Sequence, residues 1–314
     1  MAAKRLIPMA ICYDFDGTLS PGNMQEYKFM QEIDLTPKEF WEKVTNKSKK
    51  TGADNIAVYM QLMISESRAK NRSFTRKTFT DYGKSIELFK GLDTWFDRIN
   101  QYGKEHGVKV NHYIISSGIK EMIEGTRIGD KFTAIYASSF LYDANQAAEW
   151  PAVVLNFTTK TRYLFEINKG SEQDLNKVVP DDKRAIPFAN MIYIGDGETD
   201  VPCMRIVKKE GGHSIAVYPS NRRTKTAREK KKAAERLLEE DRVNIIALSD
   251  YSENSKIDLF IKAMIDKLAL DYKIKDIIKS KDKETDKEPF AKSVETTQKQ
   301  IVNKENKNDE ELAN

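Results

Sequence analysis

Cysteine and histidine are scarce in this chain of 314 residues, which has two of the first and three of the second. Cys12 falls in an apolar strand-like run and Cys203 in a helical stretch, so neither a disulfide framework nor a zinc site is indicated. His106, His112 and His213 are too scattered to form a metal motif. No apolar run is long enough to span a bilayer, and the short run after Lys4 and Arg5 does not read as a signal peptide. A large excess of one charge is missing too: 52 Lys+Arg against 48 Asp+Glu leaves +4, too little to imply nucleic acid by itself. No internal repeat is visible. The simplest expectation is a reducing cytoplasm, with no membrane partner.

What is present is a globular composition, 39% hydrophobic and 32% charged, in a chain long enough for one large or two ordinary domains. Met9–Tyr13 has the length of a buried strand and ends abruptly in Asp14-Phe15-Asp16-Gly17-Thr18-Leu19. Residues i and i+2 of a strand share a side, so Asp14 and Asp16 would repel unless a cation or a shared proton intervened. Taken alone, the same letters also fit a strand followed by an ordinary Asp-Gly turn.

From Ser20 to about Phe89 the apolar spacing is helical. Thr36-Pro37-Lys38-Glu39 reads as a capping box with proline in the first turn. Trp41, Met60 and Met63 read as the core of this helical insert. Strands are expected at 108–115, 132–139, 191–194, 213–218 and 243–248, with a hairpin or ribbon over 140–154 and helices between. Such alternation predicts an α/β fold, a doubly wound, mostly parallel sheet covered on both faces, interrupted by the inserted helical domain. The boundaries are residues 1–19 and 90–278 for the core and 20–89 for the insert. Residues 279–314, rich in Lys, Glu, Asp, Asn and Thr, are expected to form a disordered charged tail.

Three of these strands end in polar sets: Asp14 and Asp16, then Ser116-Ser117-Gly118, then Asp196 and Asp200. In a parallel sheet such ends share one edge, where open α/β sheets bind ligands. Carboxylates gathered at one point call for a cation, and hard oxygen donors favour magnesium. A hydroxyl and backbone N–H groups at a strand-to-helix turn suit a phosphate. The combination indicates phosphoryl transfer.

On these residues the chain resembles the haloacid dehalogenase superfamily, in its phosphoserine phosphatase-like branch. The motifs are Asp14-Phe15-Asp16-Gly17-Thr18-Leu19, Ile114-Ile115-Ser116-Ser117-Gly118, a lysine opening a helix, and Ile194-Gly195-Asp196-Gly197-Glu198-Thr199-Asp200. The resemblance covers about residues 9–270. It implies that Asp14 is the nucleophile and forms an aspartyl-phosphate, and that Asp16 is the acid and base. Magnesium would be held by the Asp14 and Asp196 carboxylates and the Asp16 carbonyl. Ser116 and the Ser117 N–H would bind a phosphoryl oxygen, and Asp200 would orient the metal site from behind. Lys160, opening a helix with Tyr163, Leu164 and Ile167, would clamp the phosphate. Lys169 and Lys183 compete for that role, and the stretch from Gly170 to Pro187 is longer than the family connection. Asp16 separates this chain from the dehalogenases that name the superfamily, which resemble it but lack an acid there.

The resemblance also makes the helical insert a cap that closes on a small phosphorylated metabolite. Asn23 and Glu26 are candidate substrate contacts, with Glu26 facing a substrate amine. Arg68 reads better as an exposed helix charge. The basic run from Arg222 to Arg236 could touch nucleic acid, yet without interleaved aromatics it reads better as a solvated face. A nucleic-acid end phosphatase and a slowly turning-over phosphorylated switch are the alternatives to a metabolite phosphatase. The substrate and the oligomeric state are not legible.

Overall fold

A computed structural model of the chain describes residues 6–170, 175–220 and 224–285. By its contacts the chain divides into a unit of residues 1–266 and another of residues 267–314. The first unit opens with β1 (Ile7–Tyr13), whose last five residues are fully buried. Four helices follow: α1 (Phe29–Glu32), α2 (Pro37–Thr51), α3 (Asn55–Ala69) and α4 (Arg76–Gly83). Thr36 and Glu39 complete the expected capping box of α2, and Gly52 ends that helix in the left-handed region that favours glycine. Asp54 caps α3 by accepting from the Ile56 and Ala57 N–H groups. Phe29, Phe40, Phe74 and Phe79 pack edge-to-face or tilted between these helices and form the core of the insert.

The chain then alternates: α5 (Leu92–Glu105), β2 (Val108–Ile119), α6 (Lys120–Glu124), β3 (Ala134–Tyr142), β4 (Ala148–Val153), α7 (Lys160–Lys169), β5 (Met191–Gly195), α8 (Val201–Lys209), β6 (His213–Tyr218), α9 (Lys225–Glu239), β7 (Ile245–Leu248) and α10 (Lys256–Thr285). The seven strands form one sheet in the order β4-β3-β2-β1-β5-β6-β7. Every pair is parallel except β3 with β4, the ribbon expected over 140–154. This is the α/β doubly wound architecture that strand-helix alternation predicts.

Beneath the strand ends lies a buried chain of rings. The Trp95 indole N–H donates to the Tyr13 hydroxyl at 2.9 Å, and Tyr13 meets His112 Nδ1 at 2.9 Å. Because indole can only donate, the Tyr13 proton is free to go to Nδ1, leaving the Nε2 proton for Asn100 Oδ1 at 3.2 Å. Burial holds His112 neutral, with its pKa lowered to about 3.

One boundary differs from expectation. The last helix continues through Thr285, seven residues past the start set for the disordered tail. Residues 279–285 are mostly straight-chain Lys and Glu, and extending an existing helix costs far less than starting one. The rest of the expected tail, 286–314, lies outside the described residues. No helix among the described residues is long and apolar enough to cross a membrane.

Candidate active site

Register brings the three polar strand ends together. Tyr13 of β1 lies opposite Ile114 of β2 on one side and Ile194 of β5 on the other. Asp14, Ser116 and Asp196 therefore emerge within about two residues of one another along a single sheet edge. Asp14, Asp16, Ser116, Ser117 and Asp196 all line one cavity of about 340 Å³. The residue 20–89 insert forms its opposite wall, and the Tyr59 hydroxyl ties the two by donating to the Ser117 carbonyl at 2.6 Å.

Asp14 is buried, and its backbone N–H donates to the Ile194 carbonyl at 2.9 Å. Its Oδ1 accepts no hydrogen bond but lies 3.1 Å from Lys160 Nζ. Lys160, the first residue of α7, is itself fully buried and donates to Asp200 Oδ1 at 2.8 Å. Tyr193 donates to the same Asp200 oxygen at 2.8 Å. Burial and the Asp200 charge push Asp14 up to about 7, with Lys160 pulling the other way. For Lys160, burial opposes the charge, but Asp14 and Asp200 outweigh it and hold the ammonium above the ordinary lysine range. Of the competing lysines, Lys169 donates to the carbonyls of Leu175 and Lys177, and Lys183 is exposed. Lys160 is the one brought to Asp14.

Asp16 turns away from this group. Its Oδ1 accepts the Met24 N–H at 3.0 Å, and desolvation together with the Asp14 charge raises its carboxyl well above the usual range. Gly118 leaves room for this arrangement, since a Cβ there would meet Met24 Cε at 2.1 Å. Ser116 Oγ accepts the Gly118 N–H at 3.1 Å, while Ser117 Oγ is buried with no hydrogen-bond partner.

Oxygens of Asp14, Asp196 and Asp200 lie within 4.8 Å of one another, a set that could hold a divalent cation. Asp16's carboxylate is not in that cluster. Asp200, expected only behind the site, belongs to it by distance, although its Oδ1 is already taken by Lys160 and Tyr193. An Asp14 oxygen that accepts no hydrogen bond and has only its ion pair with Lys160, set among carboxylate oxygens, fits a hard cation. Gly17, at φ 77°, admits the approach of Asp196, because a Cβ there would stand 2.0 Å from Asp196 Oδ2.

Three features add to or depart from the sequence reading. Lys230, taken as part of a solvated basic face, lines the cavity and pairs with Asp196 Oδ2 at 2.6 Å. Trp41, taken as insert core, also lines the cavity. Glu26 does not: its Oε1 accepts from Asn23 Nδ2 at 2.6 Å and from the Trp41 indole N–H at 2.8 Å. Asn23 does line the cavity, and Arg68 lines a separate one. Asp16-x-x-x-x-x-x-x-Met24 is a short loop in which backbone, not side chain, supplies the partner, so no residue pattern announced that contact.

Comparison with known proteins identifies the family. Residues 11–205 match the family model of haloacid dehalogenase-like hydrolases. The chain is 29% identical over 276 residues to an uncharacterized protein of Borreliella burgdorferi, covering 79% of this chain and 93% of that one. Its fold is similar to that of a probable phosphoserine phosphatase from Vibrio cholerae, with 11% identity and a TM-score of 0.52 over 84% of this chain and 67% of that one. A HAD family hydrolase from Salmonella enterica serovar Typhi aligns at 17% identity and a TM-score of 0.48, covering 73% and 67%. The matched span runs from the strand that delivers Asp14 through the helix that follows Asp196, with Ser116 and Lys160 inside it, and the chain belongs to the haloacid dehalogenase-like hydrolase family.

Proposed function

We propose that this hydrolase is a magnesium-dependent phosphatase acting on a small-molecule phosphate monoester through a phosphoaspartate on Asp14. The observation that carries the reading is the convergence on one small cavity of a buried carboxylate, a second carboxyl 2 residues on and a serine pair, with Lys160 beneath.

Asp14 attacks phosphorus, and the ester oxygen leaves with the proton held by Asp16. Burial and the Asp14 charge favour the protonated form of Asp16, as the role of acid requires. Asp16, now a carboxylate, then takes a proton from water, which attacks the phosphoaspartate and releases inorganic phosphate and free Asp14. Ser116 and the Ser117 N–H hold a phosphoryl oxygen, while Lys160 balances charge on Asp14. Asp14 and Asp196 would hold magnesium through carboxylates and Asp16 through its main-chain carbonyl, with Asp200 orienting the set. When bound, the ion supplies charge neutralisation that lets an anionic nucleophile meet an anionic ester.

The basic helix α9 does not favour a nucleic-acid substrate. Lys225, Lys230, Lys231 and Arg236 each pair with a carboxylate. Purified protein with magnesium should hydrolyse p-nitrophenyl phosphate. Asp14→Asn and chelation should each abolish the activity, and turnover that survives Asp14→Asn would overturn the reading.

A further inference from the structure

The wall facing the catalytic groups is polar but uncharged, with an apolar patch. Residues 20–89 contribute Asn23, Gln25, Trp41, Val44, Asn55 and Tyr59, among others, to the cavity, and no charged side chain. Two hydrogen-bonding atoms of lining residues are buried and unpaired: Gln25 Oε1 on this wall, on a residue only 2% exposed, and Ser117 Oγ on the facing end of β2. Buried polar atoms are rarely left unpaired, so each is suited to a ligand hydroxyl. The polar ends of both aromatic residues are already used, Trp41 Nε1 by Glu26 and the Tyr59 hydroxyl by Ser117. Their rings join Val44 as an apolar wall.

A carboxylate on the leaving group would find no unpaired cation among the described lining residues. Lys230, the cation among the described lining residues, is paired with Asp196. Glu26, which might have met an amine, lies outside the lining and holds two donors of the protein. Burying a carboxylate without a partner is strongly unfavourable. A hydroxylated ring, by contrast, offers donors to Gln25 and Ser117, has acceptors for the Asn23 and Asn55 amides, and lays C–H groups on the aromatic wall. A cavity of about 340 Å³ is of the size that takes one small ligand.

We infer that the leaving group is an uncharged, hydroxylated ring, the chemistry of a sugar monophosphate, and that Gln25, Asn55 and Trp41 select it. This rests on the phosphatase reading above. The test is kcat/KM of the full-length protein with magnesium on p-nitrophenyl phosphate, a set of hexose and pentose monophosphates, phosphoserine and 3-phosphoglycerate. At least one sugar monophosphate should exceed both carboxylated esters by tenfold or more. Equal or better turnover of phosphoserine or phosphoglycerate would overturn the inference while leaving the phosphatase intact. Failure on every ester, p-nitrophenyl phosphate included, would remove both. Two variants sharpen the result. Gln25→Leu should raise KM for the preferred sugar phosphate about tenfold, with a smaller effect on kcat. Asn55→Arg, at an exposed first turn of α3, should shift the ratio of kcat/KM toward phosphoserine by about tenfold. An unchanged ratio would show that this wall does not read the leaving group.

Discussion

The Lys230 ammonium stands 2.6 Å from Asp196 Oδ2, on a carboxylate that the proposed magnesium would also need. The pair joins α9 to the end of β5 and is about one-third exposed on the lysine side, so it is worth roughly 1 kcal/mol. A cation binding Asp196 must share or displace that ammonium. Lys230→Met should therefore tighten magnesium binding about fivefold by isothermal titration. Unchanged or weaker binding would mean that Lys230 and the metal do not compete.

Lys160 sits between two buried carboxylates, 3.1 Å from Asp14 and 2.8 Å from Asp200. Removing its charge leaves two buried carboxylates without a cation, Asp200 keeping only hydrogen bonds such as that from Tyr193, and breaking such a buried pair typically costs about 3–5 kcal/mol. Lys160→Met should lower the thermal midpoint sharply in chelator and reduce kcat by at least about a thousandfold. Lys160→Arg should not rescue, since the slot is fully buried and a guanidinium is larger and planar. Full activity in either variant would contradict the assigned role.

Asp14, Ser116 and Asp196 were legible because strand-end chemistry in a parallel sheet needs only the strand positions to predict convergence. Lys160 was legible by its place at the start of a helix, though choosing it over Lys169 and Lys183 required the packing. Lys230 was not. It is one of eight cations between Arg222 and Arg236, and nothing local distinguishes the one whose side chain reaches Asp196, 34 residues away. A helix joining two parallel strands, with its start near the catalytic edge, was the available signal. The bond between Trp41 and Glu26 was not legible for a related reason, although Trp41 does pack on Phe40 and Tyr59 within the insert. That bond spans 15 residues and depends on how the Met24–Glu26 turn sets α2, which periodicity does not specify.

His112 makes the fold sensitive to acid. Its folded pKa is lowered by burial to about 3, below the unfolded value of about 6.5, and the one charge acting the other way is Asp97. The unfolded state therefore binds the extra proton between these values, so stability is full above pH 6.5 and is lost as pH falls toward 3. The slope approaches about 1.4 kcal/mol per pH unit within that window. Buried carboxylates with raised pKa values, such as Asp14, act in the opposite sense, so the comparison must be differential. In urea unfolding at pH 7, 6 and 5, the stability advantage of the native chain over His112→Gln should shrink with each step down. A constant difference would mean that His112 is not held neutral.

Asp16 is assigned two jobs at different moments, and a good leaving group separates them. p-Nitrophenolate departs readily without a proton, so the first step on p-nitrophenyl phosphate needs little from Asp16. The second step still needs a base to activate water. Asp16→Asn keeps the acceptor for the Met24 N–H, now an amide oxygen, and so preserves the loop while removing the titratable proton. In rapid mixing, this variant should release p-nitrophenolate in a burst matching the enzyme concentration, followed by steady turnover slowed by about a hundredfold or more. Phosphate should remain bound to protein after acid quench, on Asp14. A variant that turns over slowly from the first molecule, with no burst, would show that the first step needs Asp16 even with this leaving group and overturn the separation, and a variant with unchanged steady-state turnover would remove it from the chemistry.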